Sequence, residues 1–164
     1  MSRTCIEISV ESVHSPDASR LIALLSADLA LRYAEFGDDG TAFFSPDDLT
    51  APGGAFFIAR RTVNTGSREA VGCAAIRPLL PGIGEIKRMF VLPESRGAGI
   101  ARLLIETMET WARDWGYEML RLETGARQPE AIVLYERNGY VPTAPFGEYA
   151  DYPLANFYEK RLKP

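Results

Sequence analysis

Residues 4–10 alternate, with Ile6, Ile8 and Val10 against Cys5, Glu7 and Ser9, the period of a strand with one buried face. Ser15-Pro16-Asp17 then changes the period, because proline and an acid suit the first turn of a helix. Leu21, Leu24, Leu25 and Leu29 recur at helical spacing and predict a helix to about Tyr33, with Asp28 at the rim of its buried face. Residues 36–54 lose all period. Phe36-Gly37-Asp38-Asp39-Gly40, Ser45-Pro46-Asp47-Asp48 and Pro52-Gly53-Gly54 are turn chemistry. They predict a long irregular stretch that is either a lid over a site or a surface loop tucking Phe43 and Phe44 onto the core.

Residues 55–61 and 69–77 read as strands joined by a hairpin turn at Asn64-Thr65-Gly66-Ser67. Residues 78–84 read as a Pro/Gly-rich connector and 85–91 as a fourth strand. From Gly99 to about Trp115 the spacing predicts a helix with Ile100, Leu103, Leu104, Met108, Trp111 and Trp115 on its apolar stripe. Arg102, Glu106, Glu109 and Arg113 fall off that stripe, and Gly116 ends the helix. A short strand at 119–122, a helix at 129–137 closed by Asn138-Gly139, a strand-like start at Tyr140 and a last strand at 156–162 follow. The strands flanking the Gly99 helix must be parallel if they are neighbours, because a helical crossover joins them. With no linker, composition break or repeat, the expectation is one mixed α/β domain over residues 1–164.

Composition narrows the function classes. At 164 residues, 46% apolar and 24% charged, the chain can build one real core. A net charge of −4 argues against nucleic acid as a partner. Cys5 and Cys73 are far apart in apolar runs and are expected to be free buried thiols. The single histidine, His14, precedes the first helix and is expected at the surface. One histidine and no C-x-x-C offer no metal centre, so no metal is expected. The start lacks an apolar core segment, and no window approaches the roughly 20 apolar residues that span a bilayer. A cytoplasmic protein with no membrane partner is the expectation.

The chemistry concentrates in residues 85–104. A strand runs into Arg96-Gly97-Ala98-Gly99 and then an amphipathic helix. Unpaired N–H groups at a helix start, reinforced by the helix dipole, form an anion site. Gly97 and Gly99 let a ligand approach the backbone, and Arg96 and Arg102 flank the turn. A phosphate or pyrophosphate is the expected ligand. The dinucleotide fingerprint fails because position 102 is Arg, and no Gly-Lys-Ser/Thr occurs.

Arg96-Gly97-Ala98-Gly99-Ile100-Ala101 resembles motif A of the GNAT-type N-acetyltransferases, Arg/Gln-x-x-Gly-x-Gly/Ala. The segment from Gln128 to Tyr140 looks like the family's motif B, with Ala131, Tyr135, Gly139 and Tyr140 matching and Gln128 standing for the usual Asn. The resemblance covers roughly residues 55–143. It implies a GNAT-like acyl-CoA N-acyltransferase fold, a central mixed sheet with splayed parallel strands flanked by helices. It also implies acetyl-CoA as cosubstrate, with Met89, Phe90 and Val91 bonding the pantetheine amides and thioester carbonyl. Residues 96–101 would hold the pyrophosphate, with Gln128 and Ala131 beside the cofactor.

The expected reaction is direct attack of an amine on the thioester in a ternary complex. Tyr135 is the candidate acid, with packing as its other reading. Glu85 is the candidate base, Glu123 or a relaying water the alternatives. Lys87 and Arg88 stay open between solvated charge and ligand contact. Asp38, Asp39, Asp47 and Asp48, and the stretch Phe146 to Pro153, are placed near an acceptor pocket or in ordinary loops. The primary amine of a small molecule or amino acid as acceptor and a homodimer are the expected partners, and a CoA-binding sensor without turnover, or another acyl group, the alternatives.

Overall fold

The computed structural model describes residues 5–64 and 66–163, so Thr4 of the first strand and Thr65 of the hairpin turn lie outside the described residues. Seven strands form one sheet in the order β1-β2-β3-β4-β5-β7-β6. β1 (Ile6–Glu11), β2 (Ala55–Thr62), β3 (Arg68–Leu80) and β4 (Ile83–Val91) form an antiparallel meander. Helix α2 (Ile100–Trp115) then carries the chain back, and β5 (Met119–Gly125) pairs parallel to β4, as a helical crossover requires. After α3 (Pro129–Arg137), the two-residue β6 (Val141–Pro142) and β7 (Ala155–Arg161) close the far side, with β7 inserted antiparallel between β5 and β6. The sheet is therefore mixed and flanked by helices, as expected.

Helix α1 (Pro16–Arg32) forms where its leucine spacing and cap place it. The Ser15 hydroxyl accepts from the Ala18 N–H at 3.2 Å, a cap whose loss costs about 1 kcal/mol. Its buried face, Ala18, Leu21 and Leu25, packs toward β3 and β4. Every residue from Ala55 to Ala59 is buried, the signature of a strand covered on both faces. Phe57 meets Trp111 of α2 edge-on at 5.8 Å. Among the described residues, no helix is long and apolar enough to cross a membrane.

Four expectations are corrected. The 78–84 connector is mostly strand: β3 runs through Pro78 to Leu80 and only Pro81 and Gly82 turn the chain. β2 begins opposite Ile76, so Pro78 lies beyond it on a one-sided stretch where a missing N–H is tolerated. Cys73 is buried and free, but Cys5 is exposed, because it precedes the edge strand β1. The α2 stripe is rotated. Leu103 and Trp115 are 39% and 51% exposed while Ile105, Ala112 and Glu109 are buried. Glu109 is accepted inside because Lys160 of β7 donates to both its oxygens, at 2.8 and 2.9 Å. Trp115 compensates by stacking on Trp111 with centroids 5.8 Å apart. Finally, β5 extends past residue 122 to Gly125, which brings Glu123 and Thr124 alongside the site.

Candidate functional site

β4 and β5 pair only from Ile83↔Met119 to Ile86↔Leu122. Both strands continue, to Val91 and Gly125, without further pairing to each other. The gap is reinforced by a bulge. Between Cys73 and Ala75, β3 advances two residues while β4 covers Phe90 to Lys87, so β4 holds one extra residue. Arg88 at that point has φ 57, the only positive value outside glycine among the described residues. The Cys73 thiol donates to the Arg88 carbonyl at 3.3 Å. The gap opens into a cleft of about 120 Å³. Lys87, Arg88 and Met89 line it from β4, Glu123 to Gly125 from β5, and Gln128, Ala131 and Tyr135 from α3 and its approach. Leu25, Leu29, Tyr33, Asp38, Tyr149 and Tyr152 close it from the helix α1 side and two loops.

Beyond Val91 the chain makes a single 3-10 turn, Pro93–Ser95, and then the glycine turn. Gly97 and Gly99 take φ 81 and 77, and Gly99 is the N-cap of α2 with no side-chain cap. The leading N–H groups of α2 thus keep no side-chain partner. A Cβ at either glycine would stand in open space, so the turn is a cradle that side chains would fill. Arg96, Gly97, Ala98 and Gly99 are exposed, Ala101 is half-buried and Ile100 anchors the helix at 2% exposure. The Arg96 Nε donates to the Val91 carbonyl at 3.0 Å. Ser95 Oγ is buried without a hydrogen-bond partner. Arg102 instead pairs with Glu106 at 2.7 Å on the exposed side of the helix.

The two candidate carboxylates sit in different surroundings. Glu85 lies in the paired part of β4, opposite Arg121 and 3% exposed. Arg77 Nε donates to it at 3.0 Å and Lys87 Nζ lies 3.6 Å away. It is not among the residues lining the cleft. Glu123 does line the cleft. Burial pushes its carboxyl up to about 7, with Lys87 pulling it down and Glu85 and Asp38 adding to the rise. Lys87 is itself pulled below the usual lysine range, chiefly by burial, with Glu85 opposing.

Tyr135 is buried in the cleft wall, edge-on to Tyr140 at 5.6 Å. Burial, and then the charge of Glu123, push its phenol above the ordinary tyrosine range. Gln128 spends its amide oxygen within the protein, accepting from the Gly125 N–H at 3.3 Å and the Tyr33 hydroxyl at 3.4 Å. A Cβ at Gly125 would collide with the Tyr33 hydroxyl.

Met89, Gln128, Ala131 and Tyr135 therefore meet at one cleft. Phe90 and Val91 are buried at 6% and 8%, leading from it to the glycine turn. Of the acidic loop, Asp38 reaches the cleft, while Asp48 pairs with Arg77 at 3.1 Å and Asp39 accepts from Thr41. Nothing in the chain's pattern marked Tyr33, which closes the cleft because α1 ends beside the β5–α3 turn. Among the described residues no group of three or more His, Cys, Asp or Glu is placed to hold a metal ion.

Comparison with known proteins agrees with this geometry. Residues 21–140 match the model of the acetyltransferase (GNAT) family. An IAA acetyltransferase of Azospirillum brasilense is 44% identical over 115 residues, 70% of this chain and 72% of that protein. A Klebsiella pneumoniae protein assigned as an acyl-CoA N-acyltransferase superposes with a TM-score of 0.76 at 33% identity, over 96% of this chain and 98% of that one. A GNAT family acetyltransferase from Elizabethkingia anophelis, solved with acetyl-CoA bound, shares the fold with a TM-score of 0.66 at 20% identity, over 96% and 98%. The splayed strands, the uncapped glycine turn and the family match together mean that this chain belongs to the GNAT acetyltransferase family.

Proposed function

We propose that the protein is a cytoplasmic N-acetyltransferase that transfers an acetyl group from acetyl-CoA to a small-molecule amine, with both bound together in the β4–β5 cleft. The observation that carries this reading is the place where pairing stops. After Ile86 and Leu122 the sheet opens between the uncapped turn of α2 and the pair Glu123 and Tyr135.

Residues 96–101 suit a pyrophosphate, since Gly97 and Gly99 leave room and the α2 N-terminus supplies donors and partial positive charge. The unpaired edge of β4 at Met89, Phe90 and Val91 suits the amides of a pantetheine arm. Bound acetyl-CoA supplies an acyl group activated as a thioester. Backbone N–H groups of bulged β4 are positioned to stabilise negative charge developing on the thioester oxygen. Gln128 and Ala131 shape the cleft beside the arm.

Glu123 is the better placed base. It faces the cleft with a carboxyl near neutrality, where a general base works best at physiological pH. It takes the proton the amine loses as the C–N bond forms. Glu85, ion-paired with Arg77 and near Lys87, positions Lys87 against Glu123 instead. Tyr135 holds the proton that the departing thiolate takes as the C–S bond breaks. Burial raises that phenol's pKa above that of a free thiol, so the transfer relies on the thiolate being desolvated in the same cleft, which raises its basicity in turn.

The test is thiol release from acetyl-CoA across amines, amino acids and peptides, with CoA binding measured in parallel. Release above hydrolysis on one small-molecule class is expected. Tyr135→Phe should lower kcat about 10²-fold with CoA affinity retained. Tight CoA binding without release from any acceptor would mean a CoA sensor, and no CoA binding would remove the proposal.

A further inference from the structure

The cleft contains a buried cation that acetyl transfer itself does not require. Arg88 is 7% exposed and lines the cleft. Its Nη2 donates to the Gly40 carbonyl and its guanidinium stacks 4.0 Å above the Phe44 ring. Its Nε is buried with no hydrogen-bond partner. Among the described residues no carboxylate comes within ion-pair distance of it. The contrast with Arg77 is direct. That side chain is 8% exposed and is met by Glu85, Asp48 and Glu148 at 3.0, 3.1 and 3.3 Å. Among the described residues, three acids bond one buried arginine directly, while the other feels only the more distant charge of Asp39.

A buried guanidinium with an unbonded N–H and no directly bonded acid is costly unless something completes it. The backbone beneath it is strained as well, since a non-glycine residue holds a left-handed φ at the bulge, and such strain clusters at ligand sites. The opposite charge is nearby. Asp38 and Glu123 line the same cleft, and Lys87 is already engaged by Glu85. The cleft thus offers one unsatisfied cation and a carboxylate base, the arrangement that matches a zwitterion.

We propose that the acceptor is an amine bearing a carboxylate, of the amino-acid class, with its carboxylate held by Arg88 while its amino group faces Glu123. This rests on the acetyltransferase reading above and narrows it to a substrate class. The planar guanidinium can bond a carboxylate through two N–H groups at once. A site built around that pair rejects analogues that lack the carboxylate, because the buried donor is then left unmatched.

The experiment compares kcat/KM by thiol release for a panel of L-amino acids, each beside its carboxamide and its decarboxylated amine. The amino acids should be preferred by about 10²-fold or more. Arg88→Gln should collapse that ratio, because only the carboxylate-bearing acceptor loses its partner. If Arg88 were merely a clasp for the loop carrying Gly40 and Phe44, the variant would slow all three acceptors alike and leave the ratio intact, overturning the proposal. Should the variant not fold, the wild-type ratio decides alone: carboxamides or amines used as well as the amino acids overturn the carboxylate site and leave the acetyltransferase standing. No thiol release above hydrolysis with any acceptor removes both.

Discussion

Glu85 and Glu123 differ in company rather than chemistry, and that difference decides their roles. Glu85 has two cations beside it, whereas Glu123 is half-buried with its carboxyl pushed up to about 7 from 4.5. A base of that pKa should add to kcat/KM a limb that breaks at about pH 7, superimposed on the acceptor's own ammonium titration. Glu123→Gln should lower kcat/KM by about 10²-fold and erase that limb, leaving only the acceptor's own ammonium titration. The same group affects stability with a definite sign. Between about 4.5 and 7 the folded state holds a proton that the unfolded chain has released, so its contribution to stability falls as pH rises through that window. Glu123→Gln should therefore be more stable than wild type at pH 8, by up to about 3 kcal/mol, and no more stable at pH 4; thermal melts at both pH values read this. Sequence could place both glutamates near the cofactor strand but could not rank them. The ranking depends on Arg77, eight residues away in sequence and adjacent only through the β3–β4 register.

At the scale of elements, the turn between β4 and α2 is the segment most nearly legible in sequence. Strand, glycines and amphipathic helix follow one another there, and the local chemistry alone implies an anion site. Gly99→Val should test it. The position has φ 77 in open space, so the new side chain enters the cradle without striking the core. The left-handed strain costs about 1–2 kcal/mol, while CoA affinity should fall about tenfold or more, about 1.4 kcal/mol. Calorimetric titration with CoA reads the second effect and a melt the first; unaltered affinity would remove the cradle. Elements governed by distant neighbours were less legible. Pro78 argued for a connector, yet β3 continues through it, paired with β4 alone because β2 begins only opposite Ile76. Glu109 argued for an exposed helix face, yet Lys160, fifty-one residues later, neutralises it inside. In both cases the deciding partner comes from another part of the chain.

For the molecule as a whole, Arg77 fastens the cleft's surroundings. From β3 it holds Glu85 on β4, the Phe43 carbonyl and Asp48 in the long loop, and Glu148 in the loop before β7. The acids that sequence offered as candidates for attracting an amine are thus partly structural. Arg77→Met should strand Glu85 and release both loops, costing about 3–5 kcal/mol, which for a chain of this size is a fall in Tm of roughly 10 °C. A change of only a degree or two would mean the loops are held otherwise. The meander and the parallel crossover followed from strand and helix spacing. The insertion of β7 between β5 and β6 did not, because nothing in a strand's own pattern names its neighbour.

The proposed function stands or falls on whether the opening between β4 and β5 receives CoA. A crystal structure of the protein with CoA tests that most directly. The pantetheine should lie along Met89, Phe90 and Val91 where pairing with β5 has ended, with the pyrophosphate on residues 96–101 and the sulfur near Tyr135. CoA bound elsewhere, with β4 and β5 unoccupied between them, would contradict it.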